Sequence, residues 1–207
     1  MNTATLAAAI LVGLTRLITG VRAQWIDRTP PVPGIQRVYF ANHASHLDTL
    51  VIWSSLPPPL RRQTSPVAAM DYWNRPGPRR WLAVSVLHAI LIERGAGGAR
   101  ESLRHLIAAL DEGRSLILFP EGSRGDGEHI GELRAGLYHI ARERPDVELT
   151  PVFLENLSRI LPKGEYLPVP LIATTRFGQP IRLEPNEERQ VFLERARQTL
   201  LALGGRA

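Results

Sequence analysis

Two short polar runs, each directly after an apolar stretch, hold the residues best suited to chemistry. The first is Asn42-His43-Ala44-Ser45-His46-Leu47-Asp48 and the second is Pro120-Glu121-Gly122-Ser123-Arg124-Gly125. In the first run a loop separates an imidazole from a carboxylate five residues on. That carboxylate can hold one ring nitrogen, which fixes the tautomer and makes the other nitrogen the proton acceptor. His43 and Asp48 therefore read as a general base and its orienting acid, with no built-in nucleophile. Two other readings stand beside this one. Ser45-x-x-Asp48 before an apolar run is also a capping box, in which both side chains serve only the start of a helix. His43, His46 and Asp48 could instead be the metal ligands of a metal-dependent hydrolase, although no second ligand cluster accompanies them.

The second run suits anion binding. A Gly-Ser-Arg-Gly turn after a strand can aim backbone N–H groups and a guanidinium at a phosphate, and Gly122 and Gly125 let the backbone come close. The plainer alternative is an ordinary polar turn. Ser123 does not sit in a Gly-x-Ser-x-Gly elbow, which argues against a serine hydrolase. Arg94, after the apolar run 89–92, is a further candidate cation.

The elements around these runs alternate. Strands are predicted at 36–41, 66–70, 89–92, 115–119 and 148–154, with one or two more within 167–177. Helices are predicted at 46–56, 78–87, 103–110, 131–142 and 187–203. Pro57-Pro58-Pro59 stops the first of these helices, and Gly113 ends the third. This alternation predicts an α/β fold with a mostly parallel central sheet flanked by helices. In such sheets ligands bind beyond the carboxyl ends of the strands, so both polar runs would face one crevice. Residues 1–28 read as an N-terminal amphipathic helix and residues 29–207 as the main domain, with Thr29 to Gly34 as a rigid break. Leu6, Ile10, Leu14, Leu17 and Val21 fall at helical spacing, as in a helix lying in a bilayer interface or one packed on the domain's own core. No uninterrupted apolar span is long enough to cross a membrane.

Composition narrows the function classes. The 207 residues include no Cys, which excludes a disulfide scaffold, a thiol nucleophile and thiolate metal sites; the default compartment is intracellular. Residues 1–100 carry 11 Arg against 4 acidic residues, whereas residues 101–207 are slightly acidic. A basic half points to an anionic partner. No nucleic-acid motif accompanies it, so nucleic acid is not the expected partner. Trp73, Arg75, Arg79, Arg80 and Trp81 mix aromatic and cationic side chains, as membrane-interface contacts do.

In combination these motifs resemble the glycerolipid acyltransferase family, which includes lysophosphatidate and glycerol-3-phosphate acyltransferases. Asn42, His43 and Asp48 match its Asn-His-x-x-x-x-Asp block. His88 to Arg94 match in part a block that begins with Gly and closes with Arg, His88 standing in the Gly position. Phe119 to Arg124 match Phe-Pro-Glu-Gly-Thr/Ser-Arg in full. Leu133-Arg134-Ala135-Gly136 and Leu149 to Val152 resemble the two blocks that follow. The resemblance runs from about residue 36 to 155.

This resemblance implies transfer of a fatty acyl group from an acyl thioester, acyl-CoA or acyl-ACP, to a hydroxyl of a lysophospholipid or glycerol-phosphate acceptor. It implies His43 as general base with Asp48, and Arg94, Ser123, Arg124 and, more weakly, Arg134 as contacts to the acceptor phosphate. Glu121 would position the acceptor or the arginines, and Gly122 lies in the same turn. Backbone N–H groups near Glu121-Gly122 would serve the oxyanion, and the stretch Leu56 to Leu60 would guide the acyl chain. No cofactor or metal is implied. The site would act at the cytoplasmic face of a membrane. Acylation of another lysolipid, such as lyso-ornithine lipid, is the alternative within the family.

Overall fold

The computed structural model describes residues 2–26, 34–93, 96–127, 129–160 and 172–205. Seven strands form one sheet in the order β1-β7-β6-β2-β5-β3-β4. They are β1 Arg22–Trp25, β2 Arg37–Ala41, β3 Thr64–Ala69, β4 Ile90–Ile92, β5 Ser115–Leu118, β6 Glu148–Glu155 and β7 Thr174–Phe177. Every pairing is parallel except β6 with β7. The expected α/β architecture with a mostly parallel sheet is thus present.

Alternation along the central strand explains the two layers. Val38 and Phe40 of β2 face one core, with Leu116, Leu149 and Phe153. That core is closed by Leu106 and Leu110 of helix α6 (Ala99–Asp111), Leu137 and Ile140 of α7 (Gly136–Glu143), and Phe192, Ala196 and Leu200 of α9 (Arg189–Leu203). Tyr39 and Ala41 face the opposite core, with Ile117, Val152 and Leu154. There the cover comes from α1 (Thr3–Thr19) and α2 (Asp48–Ser55). Leu56 and Leu60 are buried in this second core, Leu60 on the short helix α3 (Pro58–Gln63). They pack in the core beneath the sheet and do not line the cavity described below.

The N-terminal segment differs from its sequence reading. The helix stops at Thr19, where Gly20 takes a left-handed conformation (φ 54°) and its N–H donates to Arg16 O. Residues 22–25 then leave the helical path and pair in parallel with β7 as an edge strand. The predicted apolar stripe is real, but it faces outward: Leu6, Ile10, Leu14, Leu17 and Ile18 are 40–80% exposed. The inner face is Val12 with Thr15 and Thr19. These threonines bury their hydroxyls by donating to Leu11 O and Thr15 O. Arg16, the only charged residue of the helix, donates to Ser54 O at 2.7 Å. Among the described residues no helix is long and apolar enough to cross a membrane.

Two further differences bear on the site. The helix predicted from Gly131 begins only at Gly136, because the Gly131 N–H donates to Glu121 and the Arg134 N–H to Pro120 O. The segment predicted as helix 78–87 is α5 (Pro78–Trp81) running into a π-helical turn, Leu82–Val86. The strand predicted within 167–177 is present as β7; residues 167–171 lie outside the described residues.

Candidate active site

The parallel pairing of β2 with β5 brings the two polar runs to the same edge of the sheet. Asn42 ends β2 as a clamp: its side-chain amide donates to Leu154 O at 3.0 Å, and its carbonyl oxygen accepts from the Leu154 N–H at 2.8 Å. This fixes the loop that carries His43. The Nδ1 of His43 lies 2.8 Å from Asp48 Oδ2. The same oxygen accepts from the N–H groups of Ala44 (2.6 Å) and Ser45 (2.9 Å). Two of the sequence readings are therefore true of one atom. Asp48 completes the reciprocal half of a capping box and also holds the imidazole. Ser45 supplies the other half, its Oγ accepting from the Leu47 N–H at 3.3 Å.

Asp48 is fully buried, and the His43 side chain keeps 21% exposure. With Nδ1 engaged, Nε2 is the ring nitrogen left for a substrate. Phe119 supports the ring from one side, stacked at 4.2 Å between centroids and 23° between planes. The ring lines a cavity of about 210 Å³ shared with His46, Thr49, Phe119 and Arg124. Its other walls are Pro66 to Ala69, residues 71–73, Ala83, Leu87 and Ala89. The cavity thus has an apolar side built by β3 and the π-helical segment, and a polar side built by the two runs. Burial, then the charges of Arg124 and of a protonated His43, push the pKa of His46 below the usual imidazole range, with Asp48 partly opposing. Among the described residues no three His, Asp or Glu side chains converge as a metal site, so His43, His46 and Asp48 do not form the ligand set of a metal-dependent hydrolase.

Glu121 stitches the two runs together. Its Oε1 accepts from the His43 N–H at 2.9 Å, and its Oε2 accepts from the Gly131 N–H at 3.0 Å. The Gly125 N–H returns a bond to His43 O at 2.8 Å. Arg134 lies across the turn, its Nε donating to Glu121 O at 3.1 Å. A side chain at residue 122 would run into this guanidinium, and Gly122 itself has φ 74°. The positive φ is what favours glycine there; a Cβ would in addition push the Arg134 side chain aside.

Of the candidate residues, His43 and Arg124 come together at the cavity, with Asp48 buried behind the imidazole. Glu121 sits behind them with its carboxylate committed to backbone donors. Gly122 and Ser123 are exposed on the turn. The Gly122 N–H closes that turn by donating to Phe119 O at 3.1 Å, so it is not free for an oxyanion. Arg134 is exposed and braces the turn, while Arg94 lies outside the described residues. Trp73 lines the cavity, unlike the exposed Trp81. Sequence reasoning missed Phe119 as the platform for the ring and β3 as a wall. An aromatic residue one step before a Pro-Glu turn was the available signal for the first; small residues at the end of a strand gave none for the second. His88, at the position of a family glycine, has φ 51°, which accounts for the usual preference there.

Comparison with known proteins gives the family and a similar fold. Residues 23–155 match the family model described as Acyltransferase, and the chain belongs to this family. It is an enzyme of the acyltransferase class. Among solved structures it is similar to the 1-acyl-sn-glycerophosphate (LPA) acyltransferase PlsC from Thermotoga maritima. The TM-score is 0.71 at 18% identity, covering 99% of this chain and 82% of that one. No curated protein matches the sequence.

Proposed function

We propose that the protein transfers a fatty acyl group from an acyl thioester, acyl-CoA or acyl-ACP, to the free hydroxyl of a lysophosphatidate-type acceptor, giving phosphatidate. The observation that carries this reading is the imidazole of His43, held at Nδ1 by a buried carboxylate and lining a cavity that also contains Arg124. An alcohol attacks well only as its proton departs. In the proposed step the acceptor oxygen bonds to the thioester carbonyl carbon while its proton moves to His43 Nε2. Asp48 stabilises the imidazolium that forms. The tetrahedral intermediate then expels the thiolate, which takes that proton back, so an ester and a free thiol leave. The thioester is already activated, so no acyl-enzyme is required.

Arg124 suits the acceptor phosphate, because a guanidinium binds phosphate through paired donors. Ser123 and Arg134, on the exposed side of the same turn, and Arg94 are secondary candidates for that phosphate. Glu121 acts through His43 as a positioning residue. The outward stripe of α1 supports action at a membrane surface: a helix that buries threonines and exposes leucines is ordered for an apolar exterior. We place the enzyme peripherally on the cytoplasmic face.

The test is a matrix of labelled acyl-CoA and acyl-ACP donors against glycerol-3-phosphate, lysophosphatidate and lyso-ornithine lipid. Labelled phosphatidate from lysophosphatidate is the expected main product. Transfer confined to an acceptor without phosphate would overturn the acceptor assignment.

A further inference from the structure

The segment from Asn74 to Leu87 has two working sides. Ala83 and Leu87 face the reaction cavity. The other side forms a separate groove of about 370 Å³, whose lining includes Asn74, Arg80, Trp81 and Val84. The groove is open to solvent and lined by this one segment, so it suits one end of a larger ligand. The segment carries Arg75, Arg79 and Arg80 and no acidic residue. Among the described residues no carboxylate is paired with these arginines. Two of them are already oriented. The Arg80 Nε donates to Asn74 Oδ1 at 2.9 Å, which leaves its terminal nitrogens as donors. The Arg79 guanidinium lies 4.3 Å from the centroid of Tyr72. Tyr72 lines the cavity, so the cationic segment reaches its rim. The Trp81 indole is 43% exposed beside them.

An acyl donor places its thioester at His43 and must leave its carrier outside the cavity. We propose that the Arg80–Trp81 groove binds the nucleotide end of a coenzyme A thioester, with the base on the Trp81 indole and a phosphate on Arg80, and with Arg75 and Arg79 adding positive charge on the same segment. This assignment rests on the acyl-transfer reading above and selects a donor within it. The shape favours a nucleotide over the phosphates of a bilayer. A flat ring beside a fixed guanidinium suits a base with an attached phosphate, because bases stack on aromatic faces and phosphates pair with arginine. The apolar stripe argued above to face a membrane lies on another element, α1.

The test uses the full chain, short-chain donors and acceptors below their micelle concentrations, and no vesicles. The readout is the ratio of kcat/KM for acyl-CoA to that for acyl-phosphopantetheine. Wild type is compared with Arg80→Ala, Trp81→Ala and Trp81→Phe. The expected result is a ratio well above one in wild type that falls about tenfold in each alanine variant and is largely kept in Trp81→Phe. Adenosine 3′,5′-bisphosphate should also bind wild type in calorimetry and compete with acyl-CoA, with about tenfold weaker binding in the alanine variants. Equal losses for both donors, or an effect of the substitutions only when anionic vesicles are present, would overturn the proposal in favour of a structural role or a headgroup contact. The calorimetric arm needs no turnover. Binding of the bisphosphate without acyl transfer would leave this site standing and sink the proposed reaction instead.

Discussion

The two edges of the sheet use the same residue types in opposite ways. At the amino edge, charges close on one another. Arg37, buried at the start of β2, pairs with Glu148 at 2.9 Å. Arg144 pairs with Asp146 at 2.6 Å and Asp111 at 3.0 Å, and reaches Gln36 at 3.1 Å. Gln36 in turn donates to Leu110 O and Arg114 O. Around the cavity at the carboxyl edge, two acids hold backbone N–H groups: Asp48 those of Ala44 and Ser45, beside the His43 ring, and Glu121 those of His43 and Gly131. The cation there, Arg124, is left facing a cavity beside an imidazole. A closed set of ion pairs holds strands in register. Acids that serve the backbone hold loops still while leaving bases and cations for a ligand. Function is therefore assigned to the edge where His43 and Arg124 face a cavity, and stability to the other.

Substitutions at the two edges should separate these roles. The largest effect short of losing the base is expected from Asp48→Asn. The amide oxygen takes the place of Oδ2 and still accepts from Ala44, Ser45 and Nδ1, but the negative charge that stabilises the imidazolium is gone. Turnover should fall by about 10²-fold or more with little loss of melting temperature. A comparable fall in stability instead would reduce Asp48 to a helix cap. Gly122→Ala should lose both properties, since residue 122 has positive φ and the new methyl group displaces Arg134. A cost of about 1–3 kcal/mol in unfolding is expected, with a matching fall in rate. A variant of unchanged stability would contradict the described turn.

Arg124→Ala should raise the acceptor's KM about tenfold while leaving the donor's nearly unchanged, as expected for one charge-assisted bond to phosphate. Equal effects on both substrates would remove phosphate recognition from this residue. The smallest effect belongs to the amino edge. Arg144→Ala removes pairs whose acidic partners are largely exposed, so it should cost only about 0.5–1 kcal/mol and leave the transfer rate unaltered. The hydrogen bond from Arg144 lowers the pKa of Asp146. Its stabilisation is then full above about pH 4 and lost as pH falls through the lowered native value. Urea melts at pH 7 and pH 3 should therefore differ less for Arg144→Ala than for wild type. A reduced transfer rate in this variant would blur the division between the edges.

Much of the carboxyl edge was legible in the sequence, because strand and polar-turn signals are local. Apolar runs ending in Asn-His and in Phe-Pro-Glu-Gly placed His43 and Arg124 near each other once the strands were taken as parallel. What was not legible depends on contacts between distant residues. The bond from His43 to Glu121 joins positions 78 apart, and nothing in either run distinguishes a bracing glutamate from one that touches substrate. The early residues of the predicted helix at 131–142 have adequate helix propensity, yet Glu121 and Pro120 claim their N–H groups. Residues 22–25 are four mostly exposed positions on a sheet edge, with no apolar alternation to mark them. The stripe on α1 was visible as a period, but periodicity does not say which face the core takes; Thr15 and Thr19 decide it by donating back into the helix.

The central claim is that the His43 imidazole takes the proton of the acceptor alcohol. The direct measurement is the single-turnover rate of acyl transfer to lysophosphatidate by His43→Ala, with the circular dichroism and melting temperature of the variant recorded alongside. A fall of about 10²–10⁴-fold in a folded protein is predicted. A folded variant that transfers at the wild-type rate would contradict the account.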